Sequence, residues 1–176
     1  MFHIASTRFN NNTFAQNMAY RLKSGEPVLY GTGFQIHSKY PPGIILFVVE
    51  MNNDENRIEG IGLISNNIVF DKKHRIYDDS NYNRFIYRGD HWLSREKMLE
   101  IDPEMVSIFD KILFKGKSHL KRQSGITIIT EKLVLNWEYD LEILKRQVKG
   151  MFMNAFKISG EDNRSIEVEL LDYKEN

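Results

Sequence analysis

Cations, aromatic rings and a glycine pair are the residues of this chain whose spacing could do chemistry. The stretch FKGKSHLKRQSG, Phe114 to Gly125, carries Lys115, Lys117, His119, Lys121 and Arg122 without one acid. The acid-free run reaches from Lys111 to Thr130, although the whole chain balances 24 Lys and Arg against 24 Asp and Glu. Such local polarity suits phosphates, or an acidic protein partner. Two smaller clusters join it, KKHR at Lys72 to Arg75 and the pair Arg84 and Arg88. Between and after them stand Tyr82, Tyr87 and Trp92, flat rings on which unpaired bases could stack. Gly31 and Gly33 flank Thr32 in a flexible corner where backbone can approach a ligand, or simply turn.

Other chemistries find less support. The histidines, His3, His37, His74, His91 and His119, lack the spacing of a metal-ligand set, and the chain has no cysteine for a thiolate site or a disulfide. Neither metal nor cofactor is expected. Gly31-Thr32-Gly33 is too short for a dinucleotide fingerprint, FKGKSHL lacks the GxxxxGK[ST] of a phosphate loop, and there is no GxSxG elbow. Asp78, Asp79, Asp90 and Glu96 are the carboxylates from which a magnesium-dependent nuclease site would have to be built. Adjacent strand residues face opposite ways, so neighbours such as Asp90 and His91 cannot serve one reacting group directly.

The elements that must position these groups read as follows. Asn10 to Asn12 and Thr13 cap a helix whose apolar stripe is Phe14, Met18 and Leu22, with Ser24 and Gly25 ending it. Val28 to Tyr30 is extended. After Pro41-Pro42-Gly43 comes IILFVVEM, Ile44 to Met51, a strand buried on both faces. A polar hairpin, Asn52 to Asn56, leads into RIEGIGLIS, whose alternation puts Ile58, Gly60, Gly62 and Ile64 on one face and whose glycines suggest a bulge or tight curvature. A third strand, around Phe85 to Tyr87, is expected at the margin of the same sheet. Ser94 and Asp102-Pro103 start helices, ITIIT at Ile126 to Thr130 is a strand, and Glu131 to Phe156 is largely helical, with Gly150 a candidate break.

Composition sets the class. A chain of 176 residues, 41% hydrophobic and 27% charged, fits one ordinary globular domain. That domain is expected over residues 1–158, with 159–176 an acidic tail or late edge strand. The N-terminus does not have the pattern of a signal peptide, and no apolar run approaches the roughly 18 residues a membrane span needs. A cytoplasmic or nuclear protein with no membrane partner is expected.

The run GIILFVVEMNNDENRIEGIGLIS followed by NYNRFIYRGDHWLS resembles the central strands of PUA-like RNA-binding domains, particularly the EVE and YTH branch. The likeness covers Pro42 to Ser94, about a third of the chain. It implies an α+β fold, a small curved mixed sheet or barrel with surrounding helices, and a pocket accepting a base of single-stranded nucleic acid. YTH readers carry tryptophans ahead of the third strand, where DDSNY here offers Tyr82 alone, so reading of methylated adenine is not implied. The stretch HLKRQSGIT also resembles uncharacterised proteins of large nucleocytoplasmic DNA viruses.

The sequence thus points to a non-catalytic module that binds RNA or other single-stranded nucleic acid. Lys115, Lys117, His119, Lys121, Arg122, Arg84 and Arg88 would hold phosphates. Tyr82, Tyr87 and Trp92 would offer stacking faces, and Gly31, Thr32 and Gly33 would line a pocket. The alternatives are a protein-interaction adaptor using the basic loop and the C-terminal helix, and the metal-dependent nuclease.

Overall fold

The most apolar run of the chain, Ile44 to Met51, supplies the central strand of the main sheet. The computed structural model describes residues 1–157, so the expected acidic tail or edge strand at 159–176 lies outside the described residues. The chain passes through β1 (Phe2–Phe9), α1 (Asn11–Ser24), β2 (Val28–Thr32), β3 (Ile45–Asn52) and β4 (Arg57–Ser65). A short 3₁₀ helix (Ser80–Asn83) precedes β5 (Phe85–Gly89) and β6 (His91–Ser94), after which come α2 (Arg95–Ile101) and α3 (Pro103–Phe114). The last elements are β7 (Thr127–Ile128), α4 (Glu131–Leu135) and α5 (Leu141–Lys157). No helix among the described residues is long and apolar enough to cross a membrane.

Five strands form a mixed sheet in the order β6-β4-β3-β1-β7, and β2 pairs with β5 in a second, two-stranded sheet. β1 runs parallel to β3, from Phe2 opposite Ile45 to Phe9 opposite Asn52. A parallel pair needs a crossover between its strands, and α1 and β2 lie within it. All of β3 is buried because both its faces are covered. Ile4, Phe47, Val49, Ile61 and Leu63 meet Phe109, Ile112, Val148 and Phe152 of α3 and α5. Ala5, Leu46, Val48 and Ile64 on the opposite face meet Leu29, Tyr30, Ile86 and Tyr87 of the small sheet. The result is three layers, helices on sheet on sheet, which bears out an α+β architecture.

Several expectations need correction. The strands among the described residues form two sheets and not a closed barrel. The third strand, β5, leaves the main sheet and pairs antiparallel with β2, Tyr87 opposite Tyr30. The C-terminal helical segment is two helices, with Glu138 at φ 61° in the turn between them, and Gly150 lies inside α5 without breaking it. Only Thr127 and Ile128 of ITIIT pair as strand.

The alternation of the fourth strand also shifts. A bulge at Glu59 sets Ile58 opposite Met51 and Gly60 opposite Glu50. Ile58 therefore joins Ile61 and Leu63 in the helix-facing core, away from Gly60 and Gly62. One extra residue in a strand reverses the side of everything before it.

The stripe on α1 is not the expected one either. Leu22 is 88% exposed, and the buried residues of the helix are Asn17 and Arg21. What draws a polar face inward is Glu50, completely buried toward the end of β3. Its Oε1 accepts from Arg21 at 2.5 Å and from the Tyr30 hydroxyl at 2.8 Å, and its Oε2 accepts from Trp92 Nε1 at 3.0 Å. The Arg21 guanidinium lies 5.2 Å from the Tyr30 ring centre and 5.6 Å from that of Trp92. Burial and the Glu50 charge push the Tyr30 phenol well above its usual range, keeping it a donor. Gly62 leaves room for this phenol, since a Cβ there would stand 2.2 Å from the Tyr30 oxygen.

Breaking a buried ion pair strands a charge in low dielectric, whereas replacing both partners by apolar side chains removes the cost along with the pair. Arg21→Ala is therefore expected to lower stability in urea unfolding by about 3 to 5 kcal/mol. Arg21→Met combined with Glu50→Leu removes the stranded charge but leaves the Tyr30 hydroxyl and Trp92 Nε1 without their acceptor, so it is expected to recover only part of that loss. A double variant as unstable as the single one would show that the pair does more than neutralise Glu50.

Candidate functional site

Where β1 and β2 end, the sheets leave a cavity of ≈ 320 Å³. Thr7 to Phe9 pair with β3 on one side, but β7 reaches only Ala5 and Ser6 on the other, so the β7-side edge of this stretch lines the cavity. The end of β2 supplies Gly31, Thr32 and Gly33, followed by Phe34; the first turn of α1 supplies Asn10 and Thr13. Asn53, Tyr77, Tyr82, Ser124 and Gly125 complete the wall.

Local hydrogen bonds hold each wall. Asn10 accepts from the Thr13 amide at 2.8 Å while the Thr13 hydroxyl accepts from the Asn10 amide at 3.0 Å, a reciprocal cap that fixes the start of α1. The β3–β4 hairpin is latched to this helix start, because the Asn11 amide donates to Asp54 Oδ2 and the Asn53 amide to Phe9 O. Asn83 clamps the segment ahead of β5. Its Oδ1 accepts from the amides of Ile76 and Tyr77, and its Nδ2 donates to Tyr77 O at 2.7 Å. Tyr77 is pinned from behind by Asn17 Nδ2 at 2.9 Å, and its ring meets that of Tyr82 edge-on with centroids 6.2 Å apart.

Two rings face outward at this site. Tyr82 is 45% exposed and Phe34 is 65% exposed. Burial pushes the Tyr77 phenol well above the ordinary tyrosine range, so this wall stays neutral. Among the described residues that line it none is acidic, and Arg8 is the one charged residue. The site can thus offer aromatic faces, backbone amides and carbonyls, small hydroxyls and one cation. That is the equipment for a flat, polar-edged ring with an anion nearby.

The basic segment meets the cavity through its backbone. Lys121 O accepts from Arg8 Nη1 at 3.0 Å and from Asn53 Nδ2 at 2.9 Å, while its ammonium donates to Asn56 Oδ1 at 2.6 Å. Arg122, next along, is exposed, and His119 Nδ1 accepts from the Lys121 amide. Lys115 and Lys117 stand apart from the cavity: Gly116, between them, packs against Trp137 on the helix side. Gly31, Thr32, Gly33, Tyr82 and the end of the basic segment are therefore brought together.

Other expected site residues are committed elsewhere. Tyr87 is 1% exposed, and its hydroxyl accepts from the Ile36 amide at 3.1 Å, so no base can reach its face. Trp92 is held by Glu50 and Arg21 and does not line the cavity. Arg88 lies between Glu26 at 2.8 Å and Asp71 at 2.7 Å. The hydrogen bonds from Arg88 and His74 hold the Asp71 carboxyl well below the usual carboxylate range. Arg84 has no ion pair among the described residues and lies over the Phe85 ring. Asp78, Asp79, Asp90 and Glu96 do not gather, and no group of three or more potential metal ligands occurs among the described residues.

Arg8, Phe34, Asn53 and Tyr77 are site residues that no motif announces. The cap FNNNTF and the hairpin NNDEN were both readable, but each reads as ordinary punctuation until the fold joins them. Among protein-family models, curated proteins and solved structures, nothing matches this chain.

Gly31 is needed where it stands, since a Cβ there would lie 2.5 Å from Tyr82 O. Gly31→Ala is expected to push the 3₁₀ helix away and cost about 1 to 3 kcal/mol in chemical unfolding. Tyr82→Ala, at an exposed ring, is expected to change stability by less than about 0.5 kcal/mol. Equal losses in the two variants would show that Tyr82 is part of the core and not of the site.

Proposed function

We propose that this protein is a non-catalytic module that binds single-stranded nucleic acid, RNA in the first instance, by taking one base into the cavity at the ends of β1 and β2. The observation that carries the proposal is the exposure of Tyr82 and Phe34 at an acid-free cavity next to the Lys121–Arg122 segment. An exposed ring on a protein surface costs solvation unless something covers it, and two at the rim of one cavity suit a partner made of flat rings. The cation content suits the phosphates between those rings.

The fold proposed with this function is PUA-like, of the EVE and YTH kind. What supports it is the succession of the buried strand β3, a polar hairpin, the glycine-containing β4 and the aromatic-basic β5. In this reading Arg8 and Arg122 meet phosphate, and Gly31 to Gly33 contact the base edge through backbone groups. Tyr87, Trp92 and Arg88 serve the fold that holds them.

Fluorescence anisotropy with a labelled single-stranded RNA tests this. Binding is expected to weaken with salt, because phosphate contacts release counterions. Tyr82→Ala and Phe34→Ala are each expected to cost about 1 to 3 kcal/mol of binding, the worth of one stacked base. Trp92→Phe is expected to leave affinity unchanged. No binding by the wild type, or binding indifferent to both ring deletions, would overturn the proposal. Nuclease-resistant capture of one acidic protein in its place would favour the adaptor.

A further inference from the structure

A second, open cleft of ≈ 590 Å³ adjoins the first cavity through Tyr77, which lines both. The 3₁₀ helix divides them, since Tyr82 belongs to the first cavity and Ser80, Asn83 and Arg84 to the second. Lys73 and Arg75 complete the cationic side of this cleft.

The way these cations are displayed is specific. His74 is 2% exposed, with its ring nitrogens 2.9 Å from Asp71 Oδ1 and 3.1 Å from the Tyr20 hydroxyl. The pinned histidine leaves its neighbours Lys73 and Arg75 exposed on either side. Asn83, clamped to Ile76 and Tyr77, holds Arg84 beside them.

Ion pairing separates this set from the cations that serve as salt-bridge partners. Arg21, Arg57, Arg88, Arg95, Lys97 and Lys145 have carboxylate partners. Lys73, Arg75 and Arg84 have none among the described residues. The one carboxylate among the described residues of the cleft, Asp78, already accepts from Gln16 Nε2 at 2.8 Å. Three cations against that one acid leave a net charge of two positive in the cleft.

We propose that Lys73, Arg75 and Arg84 hold the phosphates adjoining the ring seated in the first cavity, so that a bound strand crosses the 3₁₀ helix and not the Lys115–Lys117 loop. This rests on the preceding assignment of a base to the first cavity. It defines the direction in which the strand leaves: past Tyr77 and Tyr82 toward the cleft. Lys121 and Arg122 adjoin a different wall, through Arg8 and Asn53, and stand where the strand enters or ends.

The salt dependence of RNA binding tests the path, with a short labelled single-stranded RNA of mixed sequence as probe. Each phosphate neutralised contributes about 0.7 to the slope of log K against log salt for single strands. Replacing Lys73, Arg75 and Arg84 together by Ala removes three exposed side chains, and circular dichroism checks that the fold persists. The triple variant is expected to flatten the slope by about two, while Tyr82→Ala weakens binding and leaves the slope unchanged. An unchanged slope in the triple variant, with Tyr82→Ala still impaired, would overturn the path and leave the base site standing. A slope lost instead on replacing Lys115 and Lys117 would place the strand on the helix side and overturn it too. Absence of any RNA binding by the wild type would remove both assignments.

Discussion

A single carboxylate governs how the layers of this protein fit together. Glu50 is fully buried in the most apolar strand, where an ionised group without partners would cost several kcal/mol. It is satisfied by donors from three different elements: Arg21 of α1, Tyr30 of β2 and Trp92 of β6. Each donor reaches it only when its own element is seated in one position. The requirement for polar satisfaction therefore acts as a register device, where apolar contacts alone would tolerate sliding. It also explains the inward polar face of α1 and the exposure of Leu22.

The cavity follows from that seating. With α1 fixed by Arg21 and β2 by Tyr30, the start of the helix and the end of the strand come to lie beside the end of β1. The hairpin after β3 is tied to the same helix start and brings Asn53 into the wall. Asn17, one turn before Arg21, supports Tyr77 from behind and also donates to Leu29 O at 2.8 Å. The same helix face that answers Glu50 thus braces the aromatic wall. Fold and site share one set of buried polar contacts.

Electrostatics divides the cations into two populations. Those in carboxylate contacts serve the fold, and Arg88 shows how completely such a contact withdraws a charge from other use. The cations of the basic segment and of the cleft beside Tyr77 are among those with no carboxylate contact among the described residues. Their distinction is geometric. Lys121 is the sharpest case, since its carbonyl organises Arg8 and Asn53 while its ammonium turns to Asn56. A residue singled out for its charge contributes to the wall through its peptide oxygen.

Much of the framework was legible from local chemistry. The β-branched run at Ile44 to Met51, the cap at Asn10, the starts at Ser94 and Asp102, and the bulge implied by the glycines of β4 each follow from neighbours in the chain, because hydrogen-bond caps, periodicity and turn preference act over a few residues. The corner Gly31-Thr32-Gly33 and the ring of Tyr82 were visible as candidates for the same reason. Tertiary structure alone decided which rings face solvent: Tyr82 and Phe34 stay out, while Tyr87 packs under the sheet and Trp92 is claimed by Glu50. It also decided which cations stay unpaired, and that β5 joins β2 in place of the main sheet. These outcomes depend on partners many residues away, and a side chain's type states what it can bind without stating which group will reach it first.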